Sequence, residues 1–321
     1  MPTDVITRAE SPGTGKYERL LARCRGMTPA PTAVAHPCDG ASLGAAVEAA
    51  RAGILVPILV GPADRIRAAA RAAHLDITAY EIADAPHSHA AAARAVELVR
   101  LGRAELLMKG SLHTDELMSE VVRRETGLRT DRRVSHVFVM DVPTYHKPLV
   151  ITDAAVNIFP TLDDKRDIVQ NAIDFMRALG VERPKVAILS AVETVTTKIP
   201  STLEAAALCK MADRGQIQGA VLDGPLAFDN AISAEAARTK GIASTVAGDP
   251  DILLVPDLEA GNMLAKNLTF LSQADAAGLV LGARVPIILT SRADNQRTRL
   301  ASCGVAAIYA AARRRTAIAS G

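Results

Sequence analysis

The chain has 321 residues, 49% of them hydrophobic, which is enough for a sizeable core. Its 37 basic and 35 acidic residues nearly cancel and aromatic residues are scarce, so a small molecule is a better expected ligand than a nucleic acid or an anionic membrane. The four cysteines are scattered without a C-x-x-C pair, which argues against a disulfide framework or a thiolate metal site.

The sequence shows no sign of a membrane segment. No apolar run reaches the roughly 20 residues that span a bilayer, and the amino terminus lacks a basic stretch followed by an apolar one. We therefore expect a soluble cytoplasmic protein.

Strand and helix patterns alternate along the chain after a loosely patterned lead-in of about 30 residues. The first series predicts a helix at 43–50, a strand at 54–60, a helix around 96–99 and a strand ending at 106–108. The second predicts strands at 134–142 and 149–151, then a helix at 165–179, a strand at 186–189, a helix at 202–212, a strand at 220–222, a helix at 233–239, a strand at 252–255, a helix at 258–271, a strand at 285–290 and a helix at 295–312. This alternation is typical of parallel sheets flanked by helices, with a lobe boundary near residue 141.

The strand predicted at 285–290 runs directly into three polar side chains, Ser291, Arg292 and Asp294. Open α/β sheets bind ligands just beyond the carboxyl ends of their strands. A hydroxyl, a two-pronged guanidinium and a carboxylate together suit chemistry on a phosphate or an acyl phosphate. The alternative is a helix N-cap at Ser291 or Asp294, with Arg292 in solvent.

Polar residues also follow other predicted strands, at 109–111, at Ser190 and at Asp223. Several such ends together favour a lined cleft, although Gly and Asp are also ordinary turn residues. Asp223 and the nearby Asp229 could hold a divalent metal, but no third ligand is visible, and backbone capping is the alternative.

Two further groups could contact a ligand. Asn262 and Lys266 lie one helical turn apart, where they could meet an anion or simply face solvent. His113 and His136 follow strand-like segments and are candidates for lining a cleft, although each could equally be a packed histidine. No Gly-x-Ser-x-Gly motif surrounds Ser291 and every histidine lies in the first half of the chain, so a hydrolase triad is disfavoured.

Eight short motifs resemble the phosphate acetyltransferase and phosphate butyryltransferase family, and the resemblance runs in order from about residue 35 to 312. They are Met108-Lys-Gly110, Gly127-Leu-Arg-Thr130, Val134-Ser-His136, Ile151-Thr-Asp-Ala-Ala-Val-Asn157, Lys210-Met-Ala-Asp-Arg-Gly215, Asp223-Gly-Pro-Leu-Ala-Phe-Asp-Asn230, Val255-Pro-Asp-Leu-Glu-Ala-Gly-Asn262 and Ser291-Arg-Ala-Asp294. The resemblance implies reversible acyl transfer between coenzyme A and inorganic phosphate. It also implies two α/β lobes of the isocitrate/isopropylmalate dehydrogenase type, an active site in the cleft between them, and usually a homodimer.

The same resemblance assigns lobes and site residues. Residues 1–141 with 292–321 would form the first lobe, and 142–291 an inserted second lobe. The expected catalytic residues are Ser291, Arg292 and Asp294, and the expected substrate-binding residues are Lys109, Ser135, His136, Asp223, Asn262 and Lys266. No metal or other cofactor is expected, since acyl-CoA and phosphate are the substrates.

One departure from the family pattern bears on the acyl group. The acetyl branch has Gly after the Ser-Arg pair and an Asp seven residues after the Ser, whereas this chain has Ala293 and Thr298 there. Asp294 instead resembles the Ser-Arg-Ala-Asp of the butyryl type. We therefore expect an acyl chain longer than acetyl, and the identity of the catalytic base stays open.

The chemistry also follows from the residues. A thiol with a pKa near 8.5 is mostly protonated at neutral pH, so a nearby carboxylate, first of all Asp294, would raise the thiolate fraction. Ser291 could stabilise the oxyanion, and Arg292 with Lys109 could hold the departing phosphate. Two alternatives stay open: a metal- and NAD-dependent decarboxylating dehydrogenase, for which no G-x-G-x-x-G motif follows a strand, and a non-catalytic coenzyme A or acyl-phosphate sensor.

Overall fold

A computed structural model describes the backbone of residues 15–290 and 294–319, and side chains as far as residue 315. The strands are β1 (Ala30–Ala35), β2 (Leu55–Gly61), β3 (Glu81–Asp84), β4 (Leu106–Lys109), β5 (Ser135–Asp141), β6 (Leu149–Thr152), β7 (Lys185–Leu189), β8 (Val221–Leu226), β9 (Ile252–Leu254), β10 (Asp275–Leu281) and β11 (Ile287–Ile288). The helices are α1 (Lys16–Cys24), α2 (Gly40–Arg51), α3 (Ala63–Ala72), α4 (Ser88–Arg100), α5 (Thr114–Val121), α6 (Leu162–Ala178), α7 (Pro200–Asp213), α8 (Phe228–Ile232), α9 (Ala234–Thr239), α10 (Leu258–Phe270) and α11 (Gln296–Ala319).

All of these strands belong to one mixed sheet, in the order β3-β2-β1-β4-β11-β10-β5-β6-β9-β7-β8. The first five strands in that order run parallel to one another, as do the last four. Between them β10 runs antiparallel to both β11 and β5, and β5 runs antiparallel to β6. The chain is therefore α/β, with antiparallel pairing at the centre of its sheet.

The predicted architecture, two parallel-sheet lobes of the isocitrate/isopropylmalate dehydrogenase type, is wrong. The physical reason is visible between β5 and β6, which are joined by residues 142–148 alone. A parallel crossover needs a dozen or more residues, and a connection of this length therefore forces an antiparallel hairpin. The division of the chain into lobes at residues 141 and 292 stays a prediction.

Helices cover both faces of the sheet. The first face packs against α2, α6, α7 and α11. The second packs against α4 and α5 over the strands near β1, and against α8 and α10 over the strands near β9. On this second face the two helix groups flank the middle strands β11, β10 and β5. Among the described residues, no helix combines the length and apolarity needed to cross a membrane.

Candidate active site

The turn that follows β4 is held tightly against the end of β1. The N–H of Gly110 donates to the carbonyl of Ala35 over 2.9 Å, and the N–H of Ser111 donates to that of His36 over 2.9 Å. A Cβ atom at Gly110 would lie 2.3 Å from the Ala35 carbonyl oxygen, so only glycine fits. This close approach fixes Lys109, a buried side chain whose Nζ donates to the Gly110 carbonyl over 3.3 Å.

Strand β11 runs parallel to β4 and ends at the same edge of the sheet. Ile288 pairs with Met108, so Leu289 follows beside Lys109. Ser291 and Arg292 themselves lie outside the described residues. The strand that leads to them thus ends next to the Lys109 turn, at the carboxyl ends of parallel strands, where open sheets bind ligands.

Asp294 lies just before α11. Its carbonyl oxygen accepts from Arg299 Nε over 3.1 Å. The residue that caps the helix is Asn295, whose Oδ1 accepts from the Thr298 N–H over 2.8 Å. Asp294 is therefore at the positive end of the α11 dipole, where anionic groups are stabilised.

His136 is the second predicted residue that reaches this region. Its imidazole packs edge-on against the Phe138 ring, with centroids 4.4 Å apart. It lies over Gly278 of β10: a Cβ atom there would be 3.2 Å from His136 Nε2 and 2.8 Å from the Leu289 carbonyl oxygen. The missing side chain at Gly278 thus leaves space in which His136 approaches the end of β11.

The electrostatic state of His136 follows from its burial. Desolvation lowers the pKa of the imidazole to about 4, opposed in part by the charge of Asp153. The ring is therefore neutral at pH 7. Its Nδ1 is buried and has no hydrogen-bond partner among the described residues. A neutral imidazole of this kind can donate from one nitrogen and accept at the other.

Asp153 and Asn157 form a buried polar cluster behind His136. Asp153 Oδ2 accepts from the N–H of His136 over 3.0 Å and from Asn157 Nδ2 over 2.6 Å. Its Oδ1 accepts from the N–H groups of Ala155 and Val156. The carboxylate thereby fixes both the start of β5 and the loop after β6. Our sequence reasoning did not select these two residues, although their position directly after a predicted strand was the available signal.

Ser135 and Asn262 both make hydrogen bonds within the protein. Ser135 is fully buried, and its Oγ accepts from Asn171 Nδ2 of α6 over 2.9 Å. Asn262 Nδ2 donates to the carbonyl of Ala154 over 3.1 Å, which ties α10 to the loop after β6. Lys266, one turn further along α10, is exposed.

Asp223 is not brought to the same place. It lies on β8, five strands from β10 in the sheet order, which at about 4.8 Å per strand is roughly 24 Å across the sheet. Its Oδ1 accepts from the N–H of Gly224 over 2.8 Å, a turn-type contact. Across residues 15–290 and 294–315, no three His, Cys, Asp or Glu side chains converge in a way that could hold a metal ion.

A largely apolar cavity lies elsewhere. Its volume of about 400 Å³ lies between α1, α11, β5 and β10, and its walls include Leu20, Val139 and Val305. None of the predicted site residues that the structure describes lines it. The candidate active site is instead built on the second face of the sheet, from the Lys109 turn, the end of β11 and His136.

The four cysteines are poorly ionised. Burial raises the pKa of the Cys24 thiol to about 11, and those of Cys209 and Cys303 to about 12. The pKa of Cys38 is also raised by burial. None of these thiols is placed to act as a thiolate nucleophile at neutral pH.

Comparison with known proteins decides the family. The family model described as "Phosphate acetyl/butaryl transferase" matches residues 88–308. The chain belongs to this family. It is an acyltransferase of the phosphate acetyl/butyryl type, as the resemblance predicted, and the family's reaction is reversible acyl transfer between coenzyme A and phosphate.

Individual members of the phosphate acyltransferase family match over nearly the whole chain. A phosphate acetyltransferase of Rhizobium meliloti is 70% identical over 305 residues, covering 95% of this chain and 96% of that protein. A phosphate butyryltransferase of Clostridium acetobutylicum is 42% identical over 294 residues, covering 92% of this chain and 98% of that protein. The crystal structure of a branched-chain phosphotransacylase from Enterococcus faecalis V583 has a TM-score of 0.76 at 30% identity, and the match covers 88% of this chain and 99% of that one. Together with the mixed sheet, this phosphotransacylase fold replaces the predicted isocitrate dehydrogenase type.

Proposed function

We propose that this enzyme transfers an acetyl group reversibly between coenzyme A and inorganic phosphate. The observation that carries the site is the convergence of Lys109, Leu289 and His136 on one face of neighbouring strands, next to the strand that leads into Ser291 and Arg292. The acyl group rests on the 70% identity to a protein named phosphate acetyltransferase. Both assignments are testable separately.

The proposed site holds phosphate by positive charge. Arg292 offers a planar pair of donors that matches a phosphate oxygen pair, and Lys109 adds a compact second charge from the neighbouring strand. The amino terminus of α11 adds the positive end of a helix dipole. Three sources of positive potential would then surround an anionic substrate.

The transfer step proceeds by direct attack of sulfur on the acyl phosphate carbonyl. Asp294 accepts the thiol proton as the new carbon–sulfur bond forms. The Ser291 hydroxyl stabilises the oxyanion of the tetrahedral intermediate, and breaking the carbon–oxygen bond then releases inorganic phosphate to Arg292. In the reverse direction phosphate attacks the thioester, and Asp294 returns its proton to the departing sulfur.

The neutral state of His136 suits a neighbour of this reaction. A further cation beside Arg292 and Lys109 would hold the phosphate product more tightly, whereas a neutral imidazole adds a hydrogen bond without charge. We assign His136 a binding or positioning role, and we assign Asn262 the role of holding the loop that carries Asp153. Lys266 and Asp223 stay predictions without a contact that supports them.

Acyl chain length is the sharpest test. Two features point in opposite directions: the Ser-Arg-Ala-Asp sequence resembles the butyryl type, while overall identity favours acetyl. Steady-state kinetics with acetyl-, propionyl- and butyryl-CoA at fixed phosphate should give the highest kcat/KM for acetyl-CoA. Because each methylene is worth roughly 1–3 kcal/mol in an apolar pocket, a clear preference is measurable. A higher kcat/KM with butyryl-CoA would overturn the acetyl assignment and leave the family reaction intact.

The remaining expectations can be checked with the same preparation. A non-catalytic sensor would bind acyl-CoA without turnover, so rapid formation of acyl phosphate excludes it. A dehydrogenase would reduce NAD in the presence of magnesium, so the absence of NAD reduction with and without magnesium excludes that alternative. The cytoplasmic location and the homodimer that the resemblance implies stay proposals.

A further inference from the structure

The largely apolar cavity between α1, α11, β5 and β10 lies outside the candidate active site. We call it the α1–α11 cavity. Its volume is about 400 Å³, and its apolar walls come from four parts of the chain: Leu20 of α1, Val139 of β5, Leu179 at the end of α6 and Val305 of α11. Protein interiors are close-packed, with few voids larger than a water molecule. A space of this size is instead in the range of small-molecule pockets, about 300–1,000 Å³.

The α1–α11 cavity exists because small residues face it. Ala277 of β10 and Ala301 of α11 both line the cavity, and each contributes only a methyl group. Ser302, next to Ala301, ties the helix to the sheet, since its Oγ accepts from the N–H of Gly278 over 3.0 Å. This hydrogen bond fixes the spacing between α11 and β10. An apolar space that the surrounding side chains do not fill can take up an apolar ligand.

The charges around the α1–α11 cavity favour an anionic ligand over a cationic one. The carboxylates that line the cavity are each paired with a cation of the protein. Arg19 and Arg23 also line the cavity and lie one helical turn apart on the exposed side of α1, so positive charge stands at its mouth. The paired carboxylates are Asp141 with Lys16 over 2.8 Å, Asp251 with Lys147 over 2.8 Å and Asp275 with Arg297 over 2.7 Å.

Arg23 is positioned to hold an anionic head group. Its Nη1 donates to the carbonyl of Leu179 over 2.7 Å, which holds the guanidinium between α1 and the end of α6. Among the described residues this is the one hydrogen bond of the Arg23 side chain, and a guanidinium has five N–H donors in a fixed fork. A carboxylate can therefore accept from the donors that remain, while its chain lies against Leu20 and Val305.

We propose that the α1–α11 cavity binds the carboxylate of a medium-chain fatty acid, with the head group on Arg23 and the chain against the apolar walls. The walls belong to the first face of the sheet, whereas the candidate active site is built on the second face. The inference thus goes beyond the proposed acyl transfer. Because the two sites are separate, the acid should bind without competing with coenzyme A.

Calorimetric titration of the full chain with octanoate tests the proposal. Octanoate should bind with a negative heat-capacity change, which is the mark of apolar burial. Hexanoate should bind about fifteenfold more weakly than octanoate, and butyrate about fifteenfold more weakly again, because each buried methylene strengthens binding about fourfold. Octylammonium, which has the same chain and the opposite charge, should bind at least about tenfold more weakly than octanoate. Saturating coenzyme A should leave octanoate binding unchanged.

Two variants locate the bound acid. Val305→Phe fills the cavity with a larger side chain, and Arg23→Glu reverses the charge at its mouth, so each should weaken octanoate binding at least about tenfold. Arg23→Glu alters an exposed residue and keeps the test valid if Val305→Phe misfolds. Arg71→Glu is the matched control, because Arg71 is exposed in the last turn of α3 and does not line the cavity. It should bind octanoate as the wild type does.

A wild-type chain that does not bind octanoate would overturn the proposal. Displacement of octanoate by coenzyme A would also overturn it, since the acid would then occupy the candidate active site. Unchanged binding in Arg23→Glu or in a folded Val305→Phe would place the acid outside the α1–α11 cavity, with the same consequence. None of these measurements depends on turnover, so a failure here leaves the proposed acyl transfer intact.

Discussion

Replacing Gly110 by alanine should damage stability and activity together. The added Cβ would lie 2.3 Å from the Ala35 carbonyl oxygen and 2.6 Å from that of His36, and both are backbone atoms that cannot rotate away. The turn must shift, which costs about 1–3 kcal/mol as for other overpacked sites. Because Lys109 precedes this glycine, the shift should also raise the KM for phosphate.

The same substitution at Gly44 is a matched control with the opposite sign. Gly44 lies inside α2, and its nearest neighbour would be Leu75 Cδ1 at 4.0 Å, which is ordinary contact. Alanine is a better helix former, so Gly44→Ala should stabilise the protein by about 0.5–1 kcal/mol. Urea unfolding and phosphate-dependent kinetics measure both effects. A Gly110→Ala enzyme with wild-type stability and wild-type KM would refute the reasoning.

Three further predictions concern the site. In the folded protein His136 has a pKa of about 4, while a histidine in the unfolded chain takes up its proton near pH 6.5. The free energy of unfolding should therefore fall by about 3 kcal/mol as the pH drops from about 6.5 to about 4. Urea titrations at several pH values should show a flatter dependence for His136→Gln, and an unchanged profile would contradict the buried neutral state. Arg292→Lys keeps the charge but loses the planar fork, so the KM for phosphate should rise and kcat should fall, whereas wild-type kinetics would remove Arg292 from the site. Asp294→Asn should lower kcat for thioester formation, with a loss that shrinks as the pH approaches the thiol pKa near 8.5; a pH-independent loss with weaker coenzyme A binding would instead indicate a structural role.

The periodic helices could be predicted from sequence, while the sheet could not. The helices predicted at 165–179 and 258–271 match α6 (Leu162–Ala178) and α10 (Leu258–Phe270) closely, because their apolar residues repeat with the helical period. Strands β1 and β10 were not predicted, since their sequences are rich in alanine and include proline or glycine, which have low strand propensity. Burial between two layers of helices, rather than local propensity, makes these segments strands.

In the candidate site, too, local patterns could be predicted from the sequence and the arrangement of the strands could not. Lys109 and His136 were found because polar residues at strand ends can be recognised locally. Asp223 satisfied the same rule, yet its strand lies at the far edge of the sheet. Strand order depends on pairing between distant segments, which no local pattern encodes. The short connection between β5 and β6 was visible in the sequence and favours a hairpin, but our sequence analysis did not predict one.

The raised thiol pKa values matter for an enzyme whose substrates are acyl donors. A thioester or an acyl phosphate will acylate any thiolate it can reach, and a protein thiolate would compete with coenzyme A for the acyl group. Burial keeps Cys24, Cys209 and Cys303 protonated far above neutral pH. The enzyme thereby protects itself against its own chemistry: within the site the sulfur nucleophile comes with the substrate, and the acyl group is not diverted into a dead-end adduct on the protein.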